Sequence, residues 1–238
     1  MMKSFTRCWA AILCLAAVSQ WALAEESSCP KTRFECYCPE TITNSHECYL
    51  YRESQLAEKY GKHFYRNGKT QNIHVHLTNG KVKILKDVPE IYGVEVDSYS
   101  HVLVGYYLDV NYWLVAIQYV EGSSYELLDG KNGKTTTVGG EALLSPDKAR
   151  FVVANFDINA GWSPNILSVW RIEGEGLIRE FSVEPDGWGA TEMVWKNPST
   201  VKFLKTFLPF EHDEYATEAK RLVGRPASKG KGKLWKIQ

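Results

Sequence analysis

One polar loop in the second half of the chain combines residue types that recognise ligands. It spans 155–165 and contains Asp157, Asn159 and Trp162. Carboxylate and amide groups form hydrogen bonds, and an indole ring offers a flat contact surface. Binding residues concentrate on loops held by a rigid sheet, so we predict a recognition loop. A calcium site is one alternative, although its bidentate glutamate is missing, and a structural Trp162 folded back onto the body is another.

A second aromatic turn lies at 184–189 and contains Asp186 and Trp188. Pro-Asp-Gly favours a tight turn. Trp188 stands between two glycines, so it is sterically free either to face a ligand or to fill the core. If both turns open at the same edge of a sheet, Trp162 and Trp188 together predict a surface for a sugar or a partner protein.

Four cysteines are crowded near the N-terminus: Cys29, Cys36, Cys38 and Cys48. Their even number predicts two disulfides in an oxidising compartment, and three connectivities are open. Cys36 and Cys38 are poorly placed to bond to each other, which leaves Cys29 and Cys48 as their partners. A zinc site is the alternative, but the spacing contains no C-x-x-C pair.

Catalytic motifs are missing from the sequence. There is no G-x-S-x-G elbow, H-E-x-x-H motif or P-loop. His74 and His76 share one face of a predicted strand, yet no third ligand is near them in sequence. We therefore predict no catalytic residue, no metal and no cofactor. Asp157 and Asp186 would act together in a hydrolase only if folding brought their carboxylates close.

The first 24 residues have the order of a cleavable signal peptide. Lys3 and Arg7 precede an apolar run over 8–18, and a small-x-small site ends at Ala24. The run is too short to cross a bilayer, so we predict export to the periplasm or secretion, with no membrane span. Loss of Lys3 and Arg7 reduces 28 basic side chains to 26, against 28 acidic ones. This balance argues against a nucleic-acid partner.

The rest of the chain reads mainly as strands. Asn79-Gly80 lies between two alternating segments, which predicts a hairpin. Further on, β-branched and aromatic runs are separated by turn residues. They predict strands at 101–108, 112–120, 124–129, 134–138, 142–145, 150–156, 166–172, 177–183, 191–196 and 200–206.

The predicted organisation is a signal peptide (1–24), a cysteine-rich cap (25–66), a β-repeat body (67–210) and a C-terminal helix with a basic tail (211–238). Two short helices are expected, at 52–60 with Gly61 as a left-handed stop and at 211–223 before Gly224. The segment after the second helix is predicted to be a basic linker, followed by a return strand at 234–237.

A faint repeat of about 40 residues runs through the body, a length that suits a four-stranded propeller blade. The run Leu144–Ala154, with its Ser-Pro-Asp turn, and the strand Leu167–Ile172 resemble repeats of WD40-like and TolB-like β-propellers. Lys148 stands where those families place glycine. The resemblance implies an all-β fold of antiparallel, propeller-like repeats. An open curved sheet and a sandwich are the alternatives, because roughly three to three and a half blades are counted against a usual minimum of four.

These features predict an exported, non-enzymatic binding protein with a protein or glycan partner. A periplasmic hydrolase or lyase with a site assembled across the repeats is one alternative. An inhibitor or immunity-type protein that plugs a foreign enzyme is another.

Overall fold

The computed structural model describes residues 38–39, 41–89, 98–208, 216–226 and 232–238. Within those ranges it contains one helix, α1 (Ser45–Tyr60), and fifteen strands. The strands are β1 Phe64–Arg66, β2 Ile73–His76, β3 Val82–Leu85, β4 Tyr99–Tyr107, β5 Tyr112–Tyr119, β6 Ser123–Asp129, β7 Thr135–Thr137, β8 Glu141–Leu144, β9 Arg150–Asn155, β10 Ile166–Glu173, β11 Gly176–Val183, β12 Trp188–Asn197, β13 Thr200–Phe207, β14 Thr217–Pro226 and β15 Lys233–Ile237.

The strands form four antiparallel sheets, and each sheet takes its strands in chain order. The first contains β1–β3, the second β4–β7, the third β8–β11 and the fourth β12–β15. The strands predicted between residues 101 and 206 are all present, with ends that differ by at most three residues. The all-β, antiparallel prediction is therefore confirmed.

The sheets pack face to face in the order of the chain. Three clusters of buried side chains join the first sheet to the second, the second to the third and the third to the fourth. The two middle sheets are thus covered on both faces, so Tyr112–Ile117 and Arg150–Ala154 are buried without a break. In the first sheet, β2 instead alternates, with Ile73 and Val75 turned into the core.

Helix α1 begins earlier than predicted. Asn44 caps it by accepting the backbone N–H of Glu47 at 2.8 Å, so the helix covers 45–60 rather than 52–60. Gly61 follows with φ −58° and stays right-handed. The predicted left-handed stop is therefore wrong.

Helix α1 is tied to three of the sheets. Arg52 donates to Glu141 of β8 at 2.5 Å. Glu53 accepts the backbone N–H of Leu103 in β4 at 2.9 Å, and its two oxygens accept from Arg66 in β1 at 2.7 Å each. Because β1, β4 and β8 are the first strands of their sheets, the helix lies along a row of first strands.

The Asn79-Gly80 hairpin is confirmed, because β2 and β3 pair antiparallel with His76 opposite Val82. Gly80 has φ +80°. Asn79 is not among the residues with positive φ, so the turn differs from the two-residue turn typical of Asn-Gly, in which both central residues are left-handed.

The predicted C-terminal helix is wrong for the part of 211–223 that the structure describes. Residues from Thr217 onward form β14, which pairs with β13 and with β15. Gly224 is not a helix stop: a Cβ added there would lie 2.9 Å from the ring of Trp235 on the neighbouring strand. Pairing with a free sheet edge has overridden a helical spacing of apolar residues.

The basic tail is partly a strand. The predicted return strand is confirmed as β15, and Lys233 at its start donates to the carbonyl of Pro198 at 2.7 Å and to Ser199 Oγ at 2.6 Å. Residues 227–231 lie outside the described ranges. The fourth sheet therefore has four strands, of which the sequence predicted three and assigned a helix in place of β14.

Glu180 joins the third sheet to the fourth. Its carboxylate accepts from Arg150 Nε at 2.8 Å, from Arg171 Nε at 2.9 Å and from Trp235 Nε1 at 3.0 Å. Burial raises the pKa of Glu180, but the hydrogen bonds from Arg150 and Trp235 outweigh it and hold the pKa below its usual range. The carboxylate is thus a charged link between two sheets.

One predicted disulfide is present, between Cys38 and Cys48, whose Cα atoms are 5.6 Å apart. Cys48 is buried near the start of α1, so the bond ties the segment before the helix to the body. Cys29, Cys36 and the predicted signal peptide over 1–24 lie outside the described residues. Among the residues described, no helix is long and apolar enough to cross a membrane.

Candidate functional site

Several connections meet at one end of the sheets. In a sheet whose strands are paired in chain order, successive connections lie at opposite ends of the strands, so every second connection lies at the same end. In this chain, the links from one sheet to the next lie at the same end as the β1–β2, β5–β6 and β9–β10 loops. The loops at 67–72, 120–122, 156–165 and 184–187 therefore share an edge. We call this edge the loop rim.

The β9–β10 loop touches its neighbours on both sides of the loop rim. Ser163 Oγ accepts the backbone N–H of Ser123 at 2.8 Å. On the other side, Asn165 Nδ2 donates to the carbonyls of Pro185 and Trp188 at 2.7 and 2.8 Å. The structure therefore brings the two predicted aromatic turns together at one edge.

Asp157 fixes the shape of this loop. Its carboxylate accepts the backbone N–H groups of Ala160 at 3.2 Å, Gly161 at 3.0 Å and Ser163 at 2.7 Å. Carboxylate oxygens engaged with N–H groups are not turned toward a cation, which argues against the calcium alternative. The side chain positions the loop from within.

A groove of about 1080 Å³ opens on the loop rim. Its walls come from the first turn of α1, the β1–β2 loop, residues 87–89 and 98–100 around the β3–β4 connection, the β5–β6 turn and the β9–β10 loop. The volume exceeds the roughly 300–1,000 Å³ of ordinary small-molecule sites. Its size and its open form favour an extended occupant.

One wall of the groove is aromatic and exposed. Trp162 is 59% exposed, Tyr119 42% and Val120 78%. Gly122 allows the β5–β6 turn to approach the Trp162 loop closely. It has φ +81°, and a Cβ there would lie 2.4 Å from the carbonyl oxygen of Trp162. Any side chain at position 122 would push the Trp162 loop away.

A polar pair of side chains lines the groove. His46 Nδ1 lies 2.6 Å from Gln118 Oε1. An amide oxygen only accepts hydrogen bonds, so Nδ1 of His46 is the donor. The Nε2 atoms of both side chains are left to contact an occupant.

Charged side chains that are buried or half-buried support the first-sheet side of the groove. Arg66 pairs with Glu53 and Asp87, and its Nη1 also donates to the carbonyl of Gln71 at 2.6 Å. Burial alone lowers the pKa of Arg66, but the bonds with Glu53 outweigh that and raise it. Gln71 lies on the groove with φ +59°, a conformation that costs energy for a residue with a side chain. Arg66 holds that conformation in place.

Tyr49 of the groove lining contacts Tyr125, which is buried and lies outside the lining. The hydroxyl oxygens of Tyr49 and Tyr125 are 2.5 Å apart. Burial raises the pKa of both phenols. They therefore stay protonated around neutral pH and form a hydrogen-bonded neutral pair.

Only two of the five predicted ligand-binding residues lie in the groove lining. Asp157 and Trp162 line the groove. Asn159 and Asp186 are exposed on the loop rim but lie outside the groove lining, as does Trp188.

Trp188 is half-buried and packs on the fourth sheet. Its ring stacks on Phe203, with centroids 6.3 Å apart, and Lys205 Nζ lies 4.9 Å from its centroid. This packing favours a structural role for Trp188.

The sequence reasoning missed His46, Gln118 and Tyr119. A usable signal existed for Tyr119 and Val120, because two apolar residues stand just before a glycine turn, where polar residues are usual. His46 and Gln118 are separated by 72 positions, and no local pattern connects them.

The described residues hold no group of three or more His, Cys, Asp or Glu that could bind a metal ion. Comparison of the chain with protein-family models, with curated proteins and with solved structures found no match in any of the three. The geometry of the groove is therefore what bears on function.

Proposed function

We propose that this chain is an exported, non-enzymatic binding protein that presents the groove to a protein or glycan partner. The observation that carries this proposal is Trp162, which is 59% exposed on a loop fixed by three hydrogen bonds to Asp157. Large aromatic side chains are mostly buried, and those held on the outside of a rigid loop are typical anchors for a partner.

Pre-organisation supports the same proposal. The Trp162 loop is bonded to the second sheet through Ser163 and Ser123, and the opposite wall is bonded through Gln71 and Arg66. A site whose loops are already ordered loses little conformational entropy on binding. The Trp162 loop and the Gln71 loop are therefore suited to recognition without rearrangement.

We propose that the four sheets are arranged as propeller-like blades with α1 along the axis. The chain order of the sheets, their face-to-face packing and the bonds from α1 to three first strands support this arrangement. Lys148 has φ +58° at the position where WD40-like and TolB-like repeats place glycine, which supports the resemblance. A crystal structure with α1 on the outside of the sheets would contradict it.

We propose export to the periplasm or beyond the cell. The Cys38–Cys48 disulfide supports a compartment outside the cytoplasm. Mass spectrometry of the protein expressed from the full sequence should find a mature chain beginning at Glu25, with no titratable thiol. A full-length cytosolic chain with six free thiols would contradict export.

The binding proposal is tested on arrays that carry immobilised oligosaccharides and peptides. The purified wild-type chain should be retained by a subset of spots, and Trp162→Ala should lower that retention at least about tenfold. Leu108→Ala is the matched control, because Leu108 is 58% exposed but lies in the β4–β5 turn at the opposite end of the sheets. Equal retention of the wild type and Trp162→Ala would remove the groove as the binding surface.

A further inference from the structure

We infer that the groove binds an uncharged oligosaccharide, with one sugar ring lying against Trp162. This inference rests on the proposed binding function and names the chemistry of the partner. Three properties of the groove carry it: its charge, its hydrogen-bonding groups and the kind of apolar surface it exposes.

The charge of the lining is nearly balanced and mostly compensated from within. Its formal charges are Lys69, Asp87 and Asp157, with His46 as a further titratable group. Asp87 faces Arg66, and Asp157 accepts three N–H groups of its own loop. Neither carboxylate is turned toward a cationic partner, and both disfavour an anionic one. This matches a neutral occupant.

The polar groups of the groove are mainly hydroxyls and amides, including Thr70, Gln71, Ser100, Gln118 and Ser163. Each of these side chains can both donate and accept hydrogen bonds. Sugar hydroxyls have the same dual character, so each can find a partner in either direction. The exposed ammonium of Lys69 adds donors for ring and hydroxyl oxygens.

The apolar surface of the groove is aromatic and contains little aliphatic surface. Trp162, Tyr119 and Tyr99 contribute rings, and Val88 and Val120 are its aliphatic members beside a proline. The described lining contains no Leu, Ile, Met, Phe or Arg. Helix-binding grooves are apolar, and phosphopeptide sites use arginine clusters. Flat rings among hydroxyls and amides instead suit the C–H face of a sugar.

The size of the groove also fits a chain of several sugar rings. Its volume of about 1080 Å³ is more than one sugar ring fills. Its walls come from all of the first three sheets. A linear oligosaccharide would contact both the His46 and Gln118 pair and the Trp162 loop.

The test is a titration of the disulfide-intact mature chain, labelled with 5-fluorotryptophan, with four neutral hexasaccharides. The probes are cellohexaose, maltohexaose, mannohexaose and hexa-N-acetylchitohexaose, and hexagalacturonate serves as the charged comparison. We expect the ¹⁹F resonance of Trp162, assigned by its loss in Trp162→Phe, to move with at least one neutral probe. Trp162→Ala should bind that probe at least about tenfold more weakly, whereas Trp162→Phe and the control Leu108→Ala should remain within about threefold of wild type.

The possible results distinguish failure of the saccharide inference from failure of the proposed binding function. If none of the neutral probes moves the Trp162 resonance, or if hexagalacturonate binds most tightly, the inference is overturned. If peptide spots alone retain the protein through Trp162, the saccharide is wrong and the binding function stands. If neither sugars nor peptides depend on Trp162, the binding function falls as well.

Discussion

Trp162 and Trp188 look alike in the sequence and differ in the structure. Each follows a glycine, at 161 and 187, in a turn rich in polar residues. Trp162 is 59% exposed on the groove, whereas Trp188 is half-buried against Phe203. The same local composition thus produces one side chain available to a partner and one that packs the fourth sheet.

The difference follows from the bonding of the backbone. Trp188 begins β12 and is paired with Phe207, so the alternation of the strand turns its ring onto one face of the sheet. Trp162 belongs to no strand, and its orientation depends on the hydrogen bonds that Asp157 makes with the same loop. Strand membership, more than residue type, decides which tryptophan is structural.

The largest effect is expected where the fourth sheet, which carries Trp188, is joined to the third. Glu180→Gln leaves Arg150 and Arg171 without their shared carboxylate, so we expect a loss of about 3–5 kcal/mol in the free energy of unfolding. Urea denaturation measures it. Glu173→Gln is the control, because Glu173 is 36% exposed beside Arg171 and its loss should cost under about 1 kcal/mol. Equal losses in the two variants would contradict a buried link.

The same residue predicts an acid dependence. Because the pKa of Glu180 is lower in the folded chain than its usual value, its stabilising contribution is complete above that usual value. The contribution is lost as the pH falls through the lowered pKa. Urea denaturation between pH 3 and 6 should therefore show a smaller acid-induced loss of stability in Glu180→Gln than in wild type, and identical pH profiles would contradict the ion link.

The next largest effect is the loss of stability expected for Trp188→Ala, which distinguishes Trp188 from Trp162. Trp188→Ala removes the half-buried ring that packs on Phe203, and we expect a loss of about 2–3 kcal/mol in the free energy of unfolding. Retention on the arrays should be unchanged at a temperature where the variant remains folded. Unchanged stability combined with lost retention would place Trp188 in the binding site after all.

A smaller effect tests the contact behind Trp162. Gly122→Ala introduces a side chain into a left-handed position and against the Trp162 backbone, so we expect about 2 kcal/mol of destabilisation and weaker array retention. Gly80→Ala is matched in backbone, with φ +80°, but nothing lies within 4 Å of the added Cβ. It should cost about 1 kcal/mol and leave retention intact. If Gly122→Ala and Gly80→Ala lost the same stability and kept the same array retention, the close approach of residue 122 to the Trp162 backbone would be shown to be unimportant.

The smallest effect on stability is expected at Trp162 itself. An exposed side chain away from the core contributes little, so Trp162→Ala should change the free energy of unfolding by less than about 0.5 kcal/mol. Urea denaturation checks this beside Trp188→Ala. A loss as large as that of Trp188→Ala would make Trp162 a core residue.

Much of the fold could be predicted because its strands follow local periodicity. The uninterrupted apolar run Tyr112–Ile117 and the Asn79-Gly80 turn are readable without any knowledge of distant contacts. The segment from Thr217 was misread because its apolar spacing also suits a helix. The free edge of β13, which decides the matter, is a tertiary feature.

The groove was predictable only in part. The loop that contains Trp162 stands out by length and composition, and it does line the groove. Another part of the lining comes from α1 and from the end of β5, which meet through the contact between His46 and Gln118. Contacts that span such sequence distances leave no trace in local composition, so half of the site became visible only with the fold.

The most direct test of the assignment of Trp162 to binding and Trp188 to packing is array retention of the two alanine variants, measured side by side on folded protein. We predict that Trp162→Ala loses retention at least about tenfold while Trp188→Ala retains the wild-type signal. Full retention by Trp162→Ala, or an equal loss in both variants, would contradict the assignment of the groove as the binding surface.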